Sequence, residues 1–276
     1  MNRDTITLSP FQGVAADSTA QAQMAVNYRY HEILLAYAGV TLAQMTEIRL
    51  YANGEVIHRY SATERDKINQ HDGRAAASGV LIIPFDRYNL LQREAEEALA
   101  LNTGIGAAGP GANAIESFRI EVDIAAGATA PVLSMKGVVS APLPGGAGVI
   151  KRVLKQTRAL AASENQIQDL APGITGGNAN YAALDRMFFF SGNVSRLRVR
   201  RNNYTKFDRT AAENNLILTD GVRVPQSGVY AFDTSEKGYG AELLELAGFQ
   251  DIIFEPTLSS ATNVPIISEF VGALGA

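Results

Sequence analysis

His31, His58 and His71 are the side chains best suited to proton transfer or metal binding in a 276-residue chain with no cysteine. The missing thiols exclude disulfide frameworks, thiolate metal sites and cysteine nucleophiles. A cupin-type metal centre needs two closely spaced histidines, a carboxylate and a later histidine. No His-x-His pair exists here; His58 falls in a strand pattern and His71 just precedes Asp72-Gly73. Structural roles are expected for all three. Carboxylates are plentiful but scattered. A structural calcium ion gathered from distant loops stays open, with no ligands to name. Gly104-x-Gly106-x-x-Gly109 spells a dinucleotide fingerprint, but Pro110-Gly111 follows at once. The mechanism needs a helix N-terminus there to take the pyrophosphate, so a loop is expected instead. No Gly-x-Ser-x-Gly elbow or P-loop is present. These readings give no catalytic residue, no cofactor-binding residue and no enzyme.

One basic strip stands out. Arg196, Arg198 and Arg200 alternate with Leu197 and Val199, and Arg201 and Lys206 extend the cluster. Alternation puts the three arginines on one face of a strand. Such a face could meet phosphate, from lipid headgroups or nucleic acid. It could equally be a solvated strand face or a set of ion pairs between subunits. The strip is short and lacks interleaved aromatics for base stacking, which favours the second reading.

Composition narrows the class further. A hydrophobic fraction of 46% permits a real core, and a net charge of −4 argues against bulk nucleic-acid packaging. Residues 1–18 lack the apolar centre of a signal peptide, and no apolar run approaches the roughly 18 residues that span a bilayer. A soluble protein is expected. Asn193-Val194-Ser195 and Asn203-Tyr204-Thr205 match the glycosylation pattern but carry no weight without a secretory signal.

The elements that hold these residues occur twice. EIRLYANGEVIHRYSATERDKI (47–68) aligns without a gap on RLRVRRNNYTKFDRTAAENNLI (196–217) at an offset of 149. Arg49 meets Arg198, Asn53 meets Asn202, Ala62 meets Ala211, Glu64 meets Glu213 and Ile68 meets Ile217. Ser78-Gly79-Val80 then meets Ser227-Gly228-Val229 at the same offset. The period is too long for a solenoid unit and about the size of a domain. Each copy reads as a hairpin and a helix. Asn53-Gly54 makes a type I′ turn, which needs positive φ at both centres, and Asn202-Asn203 can do the same. Ser61-x-x-Glu64 and Thr210-x-x-Glu213 are capping boxes opening a short helix.

Elsewhere the pattern is short strands: 20–26, 33–37, 80–85, 118–124 and 132–139 in the first half, with 229–232, 252–254 and 265–271 in the second. Tyr88 to Leu101 is expected to be a helix with Glu94, Glu96 and Glu97 facing out. APLPGGAGV (141–149) is the best boundary in the chain. The expected domains are 1–142, a Pro/Gly-rich linker 143–149, and 150–276. Each would hold about eight strands with helices in the connections. That is an all-β chain of two fused eight-stranded jelly-roll sandwiches.

Several segments carry a resemblance. They are Tyr37-Ala38-Gly39-Val40-Thr41 followed by Gln44 to Leu50, the Asn53-Gly54 hairpin and Tyr60, Ile167 to Pro172, and the tail Glu269-Phe270-Val271-Gly272. In that order the chain resembles the double jelly-roll major capsid proteins of corticovirus-like, tailless, membrane-containing double-stranded DNA phages. The glycine-rich 102–114 stretch is least like them. The resemblance implies a homotrimeric, pseudo-hexameric capsomer in an icosahedral shell over an internal membrane. It further implies contacts with neighbouring capsomers and with vertex and membrane-associated virion proteins, and no sequence-specific nucleic-acid binding. The expected location is the virion capsid, assembled in the host cytoplasm. It transfers no site residues. The alternative is a two-domain carbohydrate-binding module, weakened by the absence of tryptophan; a bicupin-like enzyme is weaker still.

Overall fold

A computed structural model describes residues 3–104, 113–170, 179–249 and 251–274. Gly106, Gly109 and Pro110-Gly111 of the fingerprint-like stretch lie outside them, as does most of 172–180. The first half holds β1 (Asp4–Thr7), β2 (Ser18–Met24), β3 (Arg29–Ala38), β4 (Met45–Ala52), β5 (Glu55–Tyr60), helix α1 (Ala62–His71) and β6 (Val80–Pro84). It continues with helix α2 (Arg93–Glu97), β7 (Leu101–Asn102), β8 (Phe118–Ile124) and β9 (Val132–Ser140). The second half holds β10 (Val149–Leu160), β11 (Ala183–Phe189), β12 (Val194–Arg201), β13 (Tyr204–Thr210) and helix α3 (Ala211–Leu218). β14 (Tyr230–Asp233), β15 (Leu244–Glu245), β16 (Ile252–Leu258) and β17 (Thr262–Ala273) complete it.

The pairing scheme is duplicated as well as the letters. In the first half one sheet runs β1-β9-β3-β6 with β7 against β3; in the second, one runs β10-β17-β11-β14 with β15 against β11. The opposing layers are β5-β4-β8-β2 and β13-β12-β16. Isolated bridges from Glu164 to Thr257 and from Ile167 to Phe254 put a segment beside β16, where β2 flanks β8 in the other half. Each half is thus a two-layer jelly roll. Alternating side chains fill each interior: Ile48, Leu50, Phe118 and Ile120 in the first, Leu197, Val199, Met187 and Phe254 in the second.

The rolls share one sheet. Parallel pairing of β5 with β10, with Val153 opposite His58, joins β5-β4-β8-β2 to β10-β17-β11-β14 as a continuous nine-stranded layer. Val149, the last residue of the expected linker, is already the first of β10.

Both repeated hairpins turn through positive φ at two successive residues: Asn53 at 50° and Gly54 at 82°, Asn202 at 48° and Asn203 at 66°. Both capping boxes form. Ser61 and Thr210 each accept from the amide three residues on, and the Glu64 and Glu213 carboxylates accept from the cap amides.

The helix expected over Tyr88–Leu101 is only Arg93–Glu97. Asn89 takes φ 56°, and the Leu91 amide donates to the Gly238 carbonyl at 3.0 Å, so a second-half loop holds this stretch out of helical form. Glu97 does not face out. It is buried, accepts from Arg3 at 2.8 Å and Arg93 at 2.7 Å, and Arg29 lies 3.7 Å away. Burial pushes its carboxyl up, but Arg93 and Arg3 outweigh that and bring it down to about 2.

Nothing surrounds a Cβ built on Gly54, so its cost is purely backbone strain. Gly54→Ala should therefore lower stability by about 1 kcal/mol, the penalty of a left-handed alanine. Chemical denaturation of the variant against the parent measures it.

Candidate functional site: the seam between the halves

Helix α1 is polar, yet seven of its ten residues, Arg65, Asp66, Asn69 and His71 among them, are buried. Asp66 and Asn69 are satisfied within the first roll, by the Ala77 amide and the Ile82 carbonyl, whereas Arg65 and His71 meet the second. Arg65 Nη1 donates to Glu269 Oε1 on β17 at 3.2 Å. Arg186 on β11 donates from Nε to Glu269 Oε2 at 2.8 Å and pairs through Nη1 with Asp72, the residue that ends α1. His71 Nε2 stands 3.5 Å from Asp233 Oδ2 on β14, and Arg223 Nε donates to the same oxygen at 2.8 Å. The His71 ring also meets Phe188 edge-on. At the rim, Lys155 Nζ lies 2.8 Å from Glu64 and Lys67 Nζ donates to the Ser227 carbonyl at 3.2 Å.

A second line of charges continues the seam. Arg87 Nη2 donates to Asp185 Oδ1 at 2.7 Å, and Lys151 Nζ donates to the Asp86 carbonyl at 3.1 Å. His31 Nδ1 lies 2.9 Å from Asp86 Oδ2, with Nε2 2.9 Å from Ser140 Oγ. His58 packs its ring on Phe85 and Tyr60 inside the seam. All three histidines are buried among packing and ion-pair partners rather than convergent on a pocket. Among the described residues no group of three or more His, Asp or Glu side chains could hold a metal ion.

Electrostatics follow from burial against partners. Burial pushes the Glu269 carboxyl up, but Arg186, Lys151 and Arg65 outweigh it and hold it well below the ordinary range. Asp233 is depressed likewise, by His71, Arg186 and Arg223 against its own burial. Asp185 is the exception: burial wins over Arg87 and Arg186 and raises it. Burial takes the Lys151 amine down to about 8, with Arg186 and Arg65 reinforcing and Glu269 opposing. Burial, then Lys151 and Arg65, takes the His58 imidazole down to about 3. These are the features of a structural clamp, in which buried charges neutralise each other across the two rolls.

Residues 5–140 match the family model of the viral coat protein P2 N-terminal domain, and residues 150–274 match that of the P2 C-terminal domain. The chain belongs to the P2 family of viral coat proteins. The fold of this coat protein is similar to that of the major capsid protein P2 from bacteriophage PM2. The TM-score is 0.87 at 18% identity, over 99% of this chain and 98% of that one. It is also similar to the STIV major capsid protein, with TM-score 0.65 at 12% identity over 98% and 97%. The PBCV-1 virus capsid matches with TM-score 0.62 at 10% identity over 98% and 93%. At these identities the likeness shows the fold, a double jelly roll. No curated protein sequence matches the chain.

The coat protein's arginine strip is matched within its own sheet. Arg196 makes a bidentate pair with Asp208 on β13, at 2.6 and 2.5 Å. Arg198 reaches Glu164 at 2.9 Å and Glu255 on β16, and Arg200 Nε donates to Glu255 Oε2 at 3.1 Å. Arg201 stacks over Phe249 at 3.9 Å. Glu255 is buried beneath Arg198 and Arg200, which hold its carboxyl down against the effect of burial. The strip is therefore a cross-strand ion-pair ladder, not an open cationic face.

Sequence reasoning missed the seam. The arginine strip drew attention because its charges are adjacent in sequence; Arg65 and Glu269 are 204 positions apart. The available signal was α1 itself, a capped helix without an apolar stripe, which must be either surface-exposed or covered by polar partners.

Removing Arg186 takes the nearest cation from both Glu269 and Asp72 and leaves Arg65 to serve them at 3.2 and 3.9 Å. Arg186→Ala should destabilise the coat protein by roughly 3–5 kcal/mol, the usual cost of breaking a buried pair. Arg196→Ala, on the exposed ladder, should leave the thermal midpoint almost unmoved. Parallel thermal melts separate the two.

His58 also predicts a pH effect. Its folded pKa of about 3 lies below the unfolded value near 6.5, so between these values the folded state binds fewer protons than the unfolded one. Stability should drop from about pH 6.5 downward, before Glu269 and Asp233 add their own loss below about pH 4. In His58→Leu the melting temperature should hold nearly flat between about pH 6.5 and 5, where the parent declines.

Proposed function

We propose that this coat protein is the major capsid protein of an icosahedral, tailless, membrane-containing bacteriophage. The shell unit in this reading is a homotrimer of pseudo-hexameric outline. The observation that carries it is the repeated sheet order. Two rolls with the same pairing scheme per chain make six similar modules in a trimer. Six near-equivalent modules around a threefold axis tile a shell with few distinct contacts. The nine-stranded sheet and the buried seam fix the angle between the rolls, which a tile requires.

Its partners in this reading are its own copies, neighbouring capsomers, and vertex and membrane-associated virion proteins, with an internal lipid membrane beneath the shell. Near-neutral charge and a self-neutralised arginine ladder suit a subunit that does not grip DNA directly. Assembly takes place in the host cytoplasm, and the role needs no cofactor and no catalysis.

Light scattering of the purified protein should give about three times the 29.5 kDa chain mass, and negative-stain images should show a hexagonal outline. A monodisperse monomer at high concentration would refute the trimer.

A further inference from the structure

The two halves repeat their fold but not their burial. At the shared repeat position, Ile68 of α1 is 1% exposed and Ile217 of α3 is 45% exposed. Leu216 beside it is 77% exposed, whereas seven residues of α1 are covered. An asparagine ties the helix to its own roll in both copies: Asn69 donates to the Ile82 carbonyl and Asn214, about one helical turn earlier in the repeat, to the Ala231 carbonyl, acceptors 149 apart. The difference lies outside the roll. Helix α1 has the second roll to cover it; on α3 Asn214 and Leu218 are buried, Leu218 in the cluster that holds Ile68, while Leu216 and Ile217 lie open.

The surface that receives α1 has its own unfilled counterpart. In the second roll Phe188, Ala231 and Ile267 join the core cluster that contains Ile68. Matching the two sheets strand for strand puts Leu34 at Phe188, Ile82 at Ala231 and Lys136 at Ile267. Leu34 and Ile82 are only half-buried, Lys136 is exposed, and Val80 and Val132 on the same sheet are 41% and 60% exposed. The chain thus presents two exposed apolar side chains, Leu216 and Ile217, on the helix of one roll, and a partly open sheet face bearing Leu34, Val80, Ile82 and Val132 beside Lys136 on the other.

We infer that α3 of each copy docks on the outer face of β1-β9-β3-β6 of the next copy, as α1 docks on β10-β17-β11-β14 within the chain. This rests on the trimer reading above and specifies the surface that builds it. The contact is head-to-tail, and a threefold rotation would close it into a ring. Two observations place it. Lys67 touches Ser227 within the chain, so the repeat brings Leu216 of one copy beside Ser78 of the next. A Cβ on Gly73 would lie 2.5 Å from the Val222 carbonyl, and 73 and 222 are equivalent positions. Equivalent positions of adjacent modules touch only near the axis relating them, so these loops mark the centre of the ring.

The chemistry of the two contacts differs. Arg65, Glu269 and Asp72 of the inner seam map to Asn214, Val138 and Gly221. Arg186 maps to Glu32, which is already paired with Arg74, so the ionic set of the inner seam is not repeated between copies.

Because the chain has no cysteine, Leu216→Cys combined with Ser78→Cys offers a clean test. Oxidation should yield covalent trimers from the double variant and none from either single one. Leu216→Glu, at an exposed position, should release folded monomers, with unchanged circular dichroism and one third of the parent's mass by light scattering. A parent trimer that survives Leu216→Glu and whose cysteine pair links nothing between chains overturns the inference while leaving the trimer standing. A cross-link confined to single chains overturns it too. A monomeric parent overturns both readings.

Discussion

Everything in this molecule turns on the cost of taking charge out of water between two rolls. Glu269 is fully buried, and what makes that tolerable is Arg65 from the first roll and Arg186 from the second. Isolated, a buried carboxylate would protonate or drag water in; paired, it holds its charge. Neither roll has the complete set. The first supplies Arg65, His71 and Asp72; the second supplies Arg186, Arg223, Asp233 and Glu269. The rolls are thereby committed to one relative position. Apolar packing alone is less selective, because it tolerates sliding, whereas charge-assisted hydrogen bonds from Arg65 and Arg186 fix position and direction.

Duplication supplies the scaffold on which this asymmetry is written. Strand order, turn type, capping and even the acceptor of the helix-anchoring asparagine recur. Divergence concentrates where the halves face something different. Helix α1 carries arginine, aspartate and histidine toward a fixed partner in the same chain, while α3 carries leucine and isoleucine outward. A single ancestral module would have had to make one contact do both jobs.

The sequence disclosed what is local. Asn53-Gly54 and Ser61-x-x-Glu64 announced a turn and a helix start because the chemistry of each is complete within four residues. The alternating strands were legible for the same reason, as was the presence of two rolls once the repeat was seen. Long-range pairing was not. Glu97 looked like part of an acidic outer face, since nothing nearby in sequence says that Arg3 and Arg29 close over it. The Tyr88–Leu101 helix was overestimated because the Leu91–Gly238 hydrogen bond that cuts it short comes from the other half. The parallel joint between β5 and β10 leaves no periodic trace, being a matter of how two edges meet.

Strand β17 has a consequence for the order in which the chain is made. It lies between β10 and β11 in the middle of the shared sheet and carries Glu269, yet both strands it pairs with precede it in the chain. The first roll can collapse during synthesis, but α1 must wait in water with Arg65 solvated until β17 is made. Closure of the seam therefore follows the synthesis of β17 and cannot precede it. A chain interrupted before β17 lacks both the middle of its sheet and the anion that locks the halves, so it cannot take up the rigid shape of a tile. The position of one strand thus keeps copies without it out of whatever the others build.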